Sequence, residues 1–349
     1  MISSFPDPEN TPSLSLVEMA SSVDLLLTPE ISEETKGAFL TALHQRGETA
    51  EEMAGLAGIL LERSVCPEIP RYEDSPLVEL CGTGGDRAGL LNISTAAMFV
   101  VAGAGMRVVK HGNRAVSSRC GSADVLEALG VRLHLETGRV NEVLEQAGCV
   151  FLLASDYHRV VAFLAPLRRA LAARDQATIF NLLGPLLNPV KPEYQLTGVY
   201  RREMLSQYAA AMGLLGRRKA WAVHGEGTGG GLDELTVTGC SHVVSAHEGK
   251  LDYFEIHPEL IGLKRALTDA ELKGGDALEN AGRITEILSG DETGTARDMI
   301  VLNAAAALYV AGKGSSLPEA IALANESIDS GGAFASLKNL RRASQPRGV

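Results

Sequence analysis

The amino-acid sequence predicts an α/β fold made of a small N-terminal α-helical domain and a large α/β sheet domain. Apolar residues recur at helical spacing between residues 14 and 63. Pro67, Pro70 and Pro76 then interrupt the pattern and indicate a linker. Beyond the linker, short apolar runs alternate with helical segments, which is typical of a sheet covered by helices. We therefore predict two domains, residues 1–75 and residues 76–349.

The N-terminal domain should hold three or four short helices. The run Ile31-Ser32-Glu33-Glu34 is typical of a helix start, and Thr49 followed by Glu52 resembles a capping box. Strands are expected at residues 77–80, 108–109, 150–153, 195–200 and 219–224, with a hairpin at 242–244 and 250–256. Helices are expected at 96–105, 122–129, 140–147, 164–173 and 204–215, and three more close the chain at 280–288, 298–311 and 317–330.

Composition narrows the function classes. A chain of 349 residues with 45% hydrophobic content can bury a large core. The net charge of −11, with dispersed Lys and Arg, argues against a general nucleic-acid surface. The five cysteines lack CxxC spacing, which favours reduced thiols in a cytoplasmic protein over a disulfide framework or a zinc site. No signal peptide is apparent, and the apolar runs are too short to span a bilayer.

Three clusters of glycines and polar residues lie between residues 79 and 123. The first, Gly82-Thr83-Gly84-Gly85-Asp86, follows an apolar strand, and its glycines allow backbone N–H groups to turn toward an anion. The cluster is neither a GxGxxG nor a Walker A motif, so no nucleotide-binding fold follows from it. The alternative is an ordinary tight turn after a strand.

The second and third clusters flank one apolar helix. Asn92 or Ser94 could cap this helix and leave its free N–H groups to an anion. In the third cluster, Lys110 could neutralise a phosphate and Asn113 could donate its amide to a carboxylate, while hydroxyls follow at Ser117-Ser118. A polar surface loop is the alternative. Two anion-binding loops at neighbouring strand ends predict a ligand with two phosphate groups.

Charged residues elsewhere complete the candidate site. Asp233 and Glu234 are adjacent carboxylates beside a glycine-rich loop, a pattern that suits Mg²⁺ held together with ligand phosphates. Without the phosphate loops, a solvated acidic turn would explain them better. Arg168 or its neighbour Arg169 could clamp a substrate carboxylate, although both could equally be surface residues. For His224, a capping or buried role is the better interpretation.

Five motifs in order resemble the anthranilate phosphoribosyltransferase family along nearly the whole chain: Gly82-Thr83-Gly84-Gly85-Asp86, Asn92-Ile93-Ser94-Thr95, Lys110-His111-Gly112-Asn113-Arg114 with Ser117-Ser118, Asn181-Leu182-Leu183-Gly184-Pro185-Leu186 and Leu232-Asp233-Glu234. The resemblance implies the nucleoside phosphorylase-like phosphoribosyltransferase fold, in which helices near residues 160–190 join the N-terminal domain. It also implies a homodimer formed through that domain. The implied reaction transfers phosphoribose from phosphoribosyl pyrophosphate (PRPP) to the amine of anthranilate in tryptophan biosynthesis, giving N-(5-phosphoribosyl)anthranilate and pyrophosphate.

The resemblance also implies roles for individual residues. PRPP would be held by the three clusters and one further serine: Gly82, Gly85, Asp86, Asn92, Ile93, Ser94, Thr95, Lys110, His111, Gly112, Asn113, Arg114, Ala115, Val116, Ser117, Ser118 and Ser122. Anthranilate would meet Gly82, His111, Asn113, His158, Arg168 and Pro185. Two Mg²⁺ ions would bind Ser94, Asp233 and Glu234. The residues expected to matter most for the reaction are Lys110, Asn113 and Arg168.

The sequence departs from the family pattern at several points. The run Arg87-Ala88-Gly89-Leu90-Leu91 stands where the family usually has Gly-Ala-Asn-Thr-Phe, and Arg159 stands where a proline is usual. About three extra residues lie between Arg168 and Asn181, and the loop before Asp233 is longer. The departures at Arg159 and in the added residues concern the path of the acceptor.

Two alternatives remain at this point. A pyrimidine nucleoside phosphorylase of the same fold would share the glycine-rich loop and the lysine-bearing loop, but Asn113, Arg168 and the acidic pair suit a carboxylate acceptor and a metal-bound pyrophosphate better. A non-catalytic nucleic-acid-binding relative should be basic around its groove, which the net charge of −11 opposes.

Overall fold

An eight-stranded sheet forms the centre of the large domain in the computed structural model, which describes residues 4–115 and 119–346. In chain order the strands are β1 (Leu77–Gly82), β2 (Arg107–Gly112), β3 (Cys149–Leu153), β4 (Tyr194–Gly198), β5 (Lys219–Gly227), β6 (Gly230–Leu232), β7 (Ser241–His247) and β8 (Lys250–Ile256). Their spatial order is β3-β2-β1-β4-β5-β7-β8, and the short β6 pairs with β5.

The strand directions explain why the predicted loops meet. Strands β1 to β5 are parallel, so the carboxyl ends of β1, β2 and β4 lie side by side at one edge, where open α/β sheets bind ligands. The expectation that the two loops follow neighbouring strands is therefore confirmed, but the placement of Lys110 in the second loop is wrong, because β2 continues through Lys110 to Gly112 in register with β3. Strands β6, β7 and β8 are antiparallel, which confirms the predicted late hairpin. The three-residue β6 was not predicted.

The helices within the described residues are α1 (Leu16–Leu27), α2 (Glu33–Arg46), α3 (Ala50–Glu62), α4 (Ile93–Gly103), α5 (Ser122–Ala128), α6 (Val140–Ala147), α7 (Ala154–Tyr157), α8 (Arg159–Phe163), α9 (Ala165–Ala172), α10 (Phe180–Leu183), α11 (Leu205–Leu214), α12 (Ala277–Ser289), α13 (Thr295–Val310), α14 (Leu317–Asp329) and α15 (Gly332–Ala343). None of these described helices is long and apolar enough to cross a membrane.

The prediction that three helices close the chain is wrong, because α15 follows them. Gly331 adopts a left-handed conformation (φ 78°) after α14, and the chain then starts a new helix. Ala333, Leu337 and Leu340 of α15 are buried in the main core. Gly103 at the end of α4 lies so close to α15 that a Cβ there would overlap the backbone of Ala333. The pair Gly331-Gly332 thus forms a tight turn between α14 and α15.

The N-terminal domain contains three helices, α1 to α3, in agreement with the predicted number. Ser32 caps α2, and Thr49 with Glu52 forms a capping box at α3, as predicted. The apolar faces of these helices share one core with side chains of the segment 164–187, and this core continues onto α11 and one face of the sheet. The segment near residues 160–190 therefore packs against the N-terminal helices. The domain boundaries at residues 75 and 76 stay a prediction.

Glu52 connects three parts of the helical domain. Its carboxylate is fully buried and accepts hydrogen bonds from the N–H groups of Leu14 (2.7 Å) and Thr49 (3.0 Å), and it pairs with Arg46. Removing one partner of a buried ion pair leaves the other charge and two N–H groups unsatisfied. We expect Glu52→Ala to lower the free energy of unfolding by about 2–4 kcal/mol, measured by urea denaturation.

The neighbouring Glu51 provides the matched control, because it lies in the same helical turn but is exposed. Glu51→Ala should change the free energy of unfolding by less than about 0.5 kcal/mol. Equal losses in both variants would contradict the role assigned to the Glu52 network.

Candidate active site

Two acidic residues lie where the sequence predicts phosphate. The Asp233 carboxylate accepts a hydrogen bond from the N–H of Gly84 (2.7 Å), in the glycine-rich loop after β1. The Glu234 carboxylate accepts one from the N–H of Ser94 (3.2 Å), in the first turn of α4. Both predicted anion sites thus contact this acidic pair, which brings phosphate donors and carboxylates into one site.

The capping expectation for α4 needs a correction. Asn92 occupies the N-cap position, but its side chain makes no capping hydrogen bond. Its amide instead donates to the carbonyl of Cys120 (3.2 Å), and its oxygen accepts from Asn280 (3.0 Å). The N–H of Ser94 is not free either, because it donates to Glu234. The side chain that satisfies this helix terminus therefore comes from a residue 140 positions away in the sequence.

Two glycines at strand ends make room for Asp233. Gly82 ends β1 and Gly198 ends β4, and the two residues are register partners. A Cβ atom on Gly82 would overlap the Asp233 carboxylate, and one on Gly198 would overlap the Asp233 backbone. Gly84 and Gly85 have φ values of 69° and 93°, a left-handed conformation that favours glycine. The glycines therefore permit close approach of a second chain segment as well as a tight turn.

The electrostatics of the acidic pair favour a cation. Burial, followed by the charges of Asp86 and Glu234, raises the pKa of Asp233 well above its usual range. Burial raises the pKa of Glu234 to about 7, although the Lys110 ammonium and the hydrogen bond from Ser94 oppose the shift. Three partly buried carboxylates that approach one another provide the oxygen ligands that Mg²⁺ prefers. The residues present therefore fit a magnesium site.

Lys110, in β2, connects β1 with the first turn of α4. Its ammonium group is buried and donates to the carbonyl of Leu80 (2.6 Å) and to the hydroxyl of Ser94 (3.1 Å). Burial lowers its pKa, and the charges of Cys81, Glu234, Glu79 and Asp233 oppose that change. The predicted phosphate lysine therefore lies beside the acidic pair with its position fixed by two hydrogen bonds.

The loop after β2 is held against α5. The Asn113 side chain is exposed. The backbone carbonyl of Asn113 accepts a hydrogen bond from the hydroxyl of Ser122 (3.3 Å). A Cβ on Gly112 would overlap that hydroxyl, so this glycine allows Ser122 to approach. Arg114 forms ion pairs with Asp124 (3.3 Å) and with Glu127 (2.8 Å) on α5.

The remaining residues expected to bind PRPP occupy different environments. The N–H of Ala115 donates to Asp124 (2.9 Å), so its neighbour Arg114 and its own backbone are both engaged with α5. The side chains of Ile93 and Thr95 are buried within α4. Gly85 is exposed, and Asp86 accepts from the N–H of Ala88 (3.1 Å). The expected ligands Val116, Ser117 and Ser118 lie outside the described residues.

Two buried histidines lie next to each other near the end of β2. The rings of His111 and His158 meet edge to face with centroids 5.2 Å apart, and His158 bonds to the carbonyl of Leu187 (2.6 Å). Burial, followed by the proximity of His158, lowers the pKa of His111 to about 3. Burial also lowers the pKa of His158. Neutral rings at these positions form a surface that suits an aromatic ligand. The backbone carbonyl of Pro185 accepts a hydrogen bond from the side chain of Gln195 (2.7 Å).

The structure distinguishes the two adjacent arginines of α9. Arg169 is exposed, whereas Arg168 is partly buried and its guanidinium lies over the ring of Phe180, 5.2 Å from the centroid. Burial lowers the pKa of Arg168. No carboxylate among the described residues pairs with it, although most arginines that are buried to this degree have such a partner. Arg168 is therefore the better candidate to bind a carboxylate ligand.

A buried polar network beneath the site was missed by sequence reasoning. Glu79 in β1 is fully buried, accepts from the N–H of His111 (3.0 Å), and has a pKa raised to about 7 by burial. Gln195 in β4 accepts from the buried Arg217 (2.8 Å) while donating to Pro185. The available signal was a long polar side chain inside each of two short strands, Glu79 in β1 and Gln195 in β4. The prediction that His224 has a buried role is confirmed, since its ring bonds to the carbonyl of Val199 (2.8 Å).

One departure from the family pattern places two loops in contact. Arg87 has a φ of 55°, and its guanidinium lies 3.6 Å from the carboxylate of Asp175, in the stretch between Arg168 and Asn181 that is longer than the family pattern. Both side chains are exposed, so the ion pair contributes little to stability. It nevertheless brings the glycine-rich loop of the sheet domain next to the segment that follows α9.

Comparisons with known proteins agree with this geometry. Residues 74–334 match the profile described as "Glycosyl transferase family, a/b domain", and residues 10–64 match "Glycosyl transferase family, helical bundle domain". The anthranilate phosphoribosyltransferase of Moorella thermoacetica is 45% identical over 326 residues, which cover 93% of both chains. The chain belongs to the anthranilate phosphoribosyltransferase family. The enzyme of Rubrobacter xylanophilus is 43% identical over 95% of this chain and 94% of the relative.

Solved structures of the family have the same fold. The anthranilate phosphoribosyltransferase of Thermus thermophilus aligns with a TM-score of 0.87 at 39% identity, covering 97% of this chain and 99% of that chain. The Saccharomyces cerevisiae enzyme in complex with PRPP and Mg aligns with a TM-score of 0.84 at 27% identity, covering 95% and 93% of the two chains. A helical N-terminal domain and a large α/β domain, as predicted from the sequence, are thereby confirmed as the fold class.

The pKa of Glu234 predicts how magnesium affinity depends on pH. Below about pH 7 this carboxylate is protonated, so a metal ion must displace the proton. Since the pKa of Asp233 is raised as well, we expect the apparent Mg²⁺ affinity to fall by at least about tenfold for each pH unit below 7, measured by calorimetry between pH 5.5 and 8.5. Glu234→Gln should bind Mg²⁺ more weakly. In this variant the number of protons released on Mg²⁺ binding, read from the slope of log affinity against pH, should be smaller by one. An affinity that is the same at pH 5.5 and pH 8.5 would contradict this assignment.

The close approach of Asp233 predicts the effect of a methyl group on β4. Gly198→Ala should displace the Asp233 backbone and lower Mg²⁺ affinity by at least about tenfold, measured by the same titration. Gly58→Ala is the matched control, because a Cβ at that helical position meets no atom within 4 Å. Unchanged affinity in Gly198→Ala would show that the Asp233 backbone can shift without affecting the site.

Proposed function

We propose that this chain transfers phosphoribose from PRPP to the amine of anthranilate, releasing pyrophosphate, as the names of its relatives indicate for those proteins. The observation that carries the proposal is the contact of both predicted phosphate loops with one acidic pair, through Gly84 to Asp233 and Ser94 to Glu234. This arrangement combines anion donors with metal ligands, as transfer from a pyrophosphate ester requires.

The phosphate end of the site is assigned to residues at the strand ends. The backbone of the loop after β1, the hydroxyl of Ser94 and the ammonium of Lys110 would bind the phosphate oxygens. Ser94, Asp233 and Glu234 would hold two Mg²⁺ ions, with Asp86 close to them. When bound, the magnesium ions would neutralise charge on the pyrophosphate as it leaves.

The acceptor end is assigned to residues from both domains. Arg168, held over Phe180, would bind the carboxylate of anthranilate, and the neutral rings of His111 and His158 would flank the aromatic ring. Asn113 is exposed in the loop after β2, and its side-chain amide would donate a hydrogen bond to the acceptor. Gly82 would contact the acceptor through its backbone, since the space beside it is filled by the Asp233 carboxylate.

The reaction depends more on the positioning of the two substrates than on proton transfer. The bond between the anomeric carbon and pyrophosphate breaks, and a bond from that carbon to the amine nitrogen forms, after which the nitrogen loses a proton. An aromatic amine is already neutral at pH 7, so no strong general base is needed. The contribution of the protein is to hold the amine in line and to stabilise the departing charge near Lys110.

We also propose the finer features that accompany this assignment. The chain would act in the cytoplasm, which agrees with five free cysteines. It would form a homodimer through the N-terminal helical domain, whose exposed Leu16 and Val17 on α1 provide apolar surface. Light scattering of the purified protein would test the dimer, and a mass of one chain at micromolar concentration would refute it.

The direct test of the reaction is loss of anthranilate fluorescence with PRPP and Mg²⁺ present and with each omitted in turn. Loss that needs all three components supports the proposed transfer. Phosphorolysis of thymidine in the absence of Mg²⁺ would instead favour the nucleoside phosphorylase alternative. No reaction with either substrate pair would refute both.

The two arginines of α9 allow a matched comparison. Arg168→Gln removes the guanidinium that is proposed to bind the acceptor carboxylate, whereas Arg169→Gln alters an exposed neighbour. We expect Arg168→Gln to raise the KM for anthranilate by about 10-fold or more, since charge-assisted hydrogen bonds contribute about 1.5–3 kcal/mol. The KM for PRPP should stay within about twofold, and Arg169→Gln should resemble the unaltered chain. Equal KM values in both variants would argue against this role for Arg168.

A further inference from the structure

A second group of metal-ligating side chains lies outside the proposed active site. Cys240 precedes β7, His242 lies in β7, Glu255 lies in β8, and His257 follows β8. His242 and Glu255 are cross-strand partners. Within the described residues, ligand atoms of Cys240, His242 and Glu255 all lie within 4.8 Å of one another. Nothing in the proposed transfer reaction uses these residues.

The distances between the side chains match those of a tetrahedral metal site. His242 Nδ1 lies 3.3 Å from one oxygen of Glu255, and the other oxygen of Glu255 lies 3.5 Å from His257 Nε2. Cys240 Sγ lies 3.8 Å from the same nitrogen of His257. Ligands bound to tetrahedral zinc at about 2.0–2.3 Å are separated from one another by about 3.3–3.8 Å. Three of the six separations among the four groups therefore have the length expected in a tetrahedron, and Cys240, His242 and Glu255 are the three whose ligand atoms all lie within 4.8 Å of one another.

The surroundings of His242 select the nitrogen that would bind a metal. Its Nε2 lies 2.7 Å from a carboxylate oxygen of Glu226, which accepts the ring proton at that position. The lone pair is then on Nδ1, which faces the cluster, and carboxylate support behind a histidine ligand is the usual arrangement in zinc sites. The hydroxyl of Tyr253 lies 2.7 Å from Nδ1, but this side chain is 55% exposed and can yield to an ion.

We propose that Cys240, His242, Glu255 and His257 form a zinc site, with ligand atoms Sγ, Nδ1, a carboxylate oxygen and Nε2. A set of one sulfur, two imidazole nitrogens and one oxygen suits Zn²⁺ and does not suit Mg²⁺. On binding, the thiol proton of Cys240 passes to solvent and a sulfur–zinc bond replaces the S–H bond. With four protein ligands the coordination shell is closed, so the role is structural.

The position of the site suggests what zinc would stabilise. The N–H of Glu226 in β5 donates to the carbonyl of Cys240 (2.8 Å), so these two residues bracket the segment that carries Asp233 and Glu234. A metal ion between Cys240 and β8 would attach the β7–β8 hairpin to the end of that segment. Arg202 contacts Glu226 (3.6 Å) rather than any of the four ligands, and so it balances the carboxylate behind His242.

The sequence prediction that the cysteines form no zinc site rested on the absence of CxxC spacing. Here the ligands come in two pairs, Cys240 with His242 and Glu255 with His257, each separated by two positions. Residues two apart on a strand point to the same face of a sheet. Two such pairs on adjacent antiparallel strands can surround one ion, although neither pair resembles a zinc-binding motif.

The test uses the full chain after removal of metals with a chelator. Competition of Zn²⁺ with a chromophoric chelator should reveal one tight equivalent for each chain, and Co²⁺ in its place should produce a thiolate-to-cobalt charge-transfer band with tetrahedral d–d bands. Cys240→Ser should abolish the charge-transfer band, and Cys240→Ser and His257→Asn should each weaken zinc binding by more than about tenfold. The readouts are independent of enzymatic activity.

Two control variants separate this site from the other possible ligands. Cys66→Ser alters an exposed cysteine that is distant from Cys240 in the sequence, and it should leave the cobalt spectrum unchanged. Asp233→Asn combined with Glu234→Gln removes the proposed magnesium ligands and should retain the tight zinc equivalent. The proposal is overturned if the unaltered chain shows no charge-transfer band with Co²⁺, or if zinc affinity in Cys240→Ser equals that of the unaltered chain. The cobalt spectrum of the unaltered chain decides the matter even where a variant fails to fold.

Discussion

The partial burial of the Asp233 and Glu234 carboxylates against backbone N–H donors is the constraint on which the candidate active site depends. Each carboxylate is held by an N–H at the end of a different element, Gly84 after β1 and Ser94 in α4. Negative charges removed from water are costly unless they are paired, and the charge of Lys110 interacts favourably with both carboxylates. A magnesium ion relieves the same cost, so the requirement for stability and the affinity for metal have one physical origin.

Close approach of chain segments makes this burial possible. Asp233 can lie against the ends of β1 and β4 only because Gly82 and Gly198 have no side chains. Parallel pairing places these two glycines in register, and the lysine of β2 follows on the adjacent strand. The sheet therefore acts as a template that brings the loop after β1, the first turn of α4 and the acidic pair to one edge.

Buried polar side chains of β1 and β4 hold the residues at the end of β2 and the turn near Pro185 in place. Glu79 binds the N–H of His111, and Gln195 links Arg217 to the carbonyl of Pro185. These hydrogen bonds link β1 to β2, and β4 to the turn near Pro185. Because buried hydrogen bonds are costly to break, they hold these segments in one arrangement. The bond to Glu79 positions the backbone of His111, and the bond to the carbonyl of Leu187 positions the ring of His158.

Much of this protein follows from the sequence alone. Helical spacing in the first 63 residues, the linker prolines and the alternation of strands and helices predicted the fold class, because local periodicity reflects which face of an element is buried. The glycine-rich loop, Lys110 and the acidic pair were recognised as candidates, because each carries its chemistry in a short run of residues.

Other features were decided by the tertiary structure. The contacts of Asp233 with Gly84 and of Glu234 with Ser94 join residues about 140–149 positions apart, and no local pattern encodes them. Arg168 and Arg169 are indistinguishable in the sequence, and only the packing of α9 shows which one is buried over Phe180. Cys240 and His257 came together for the same reason, since strand pairing, unlike helix formation, is determined by contacts between residues distant in the chain.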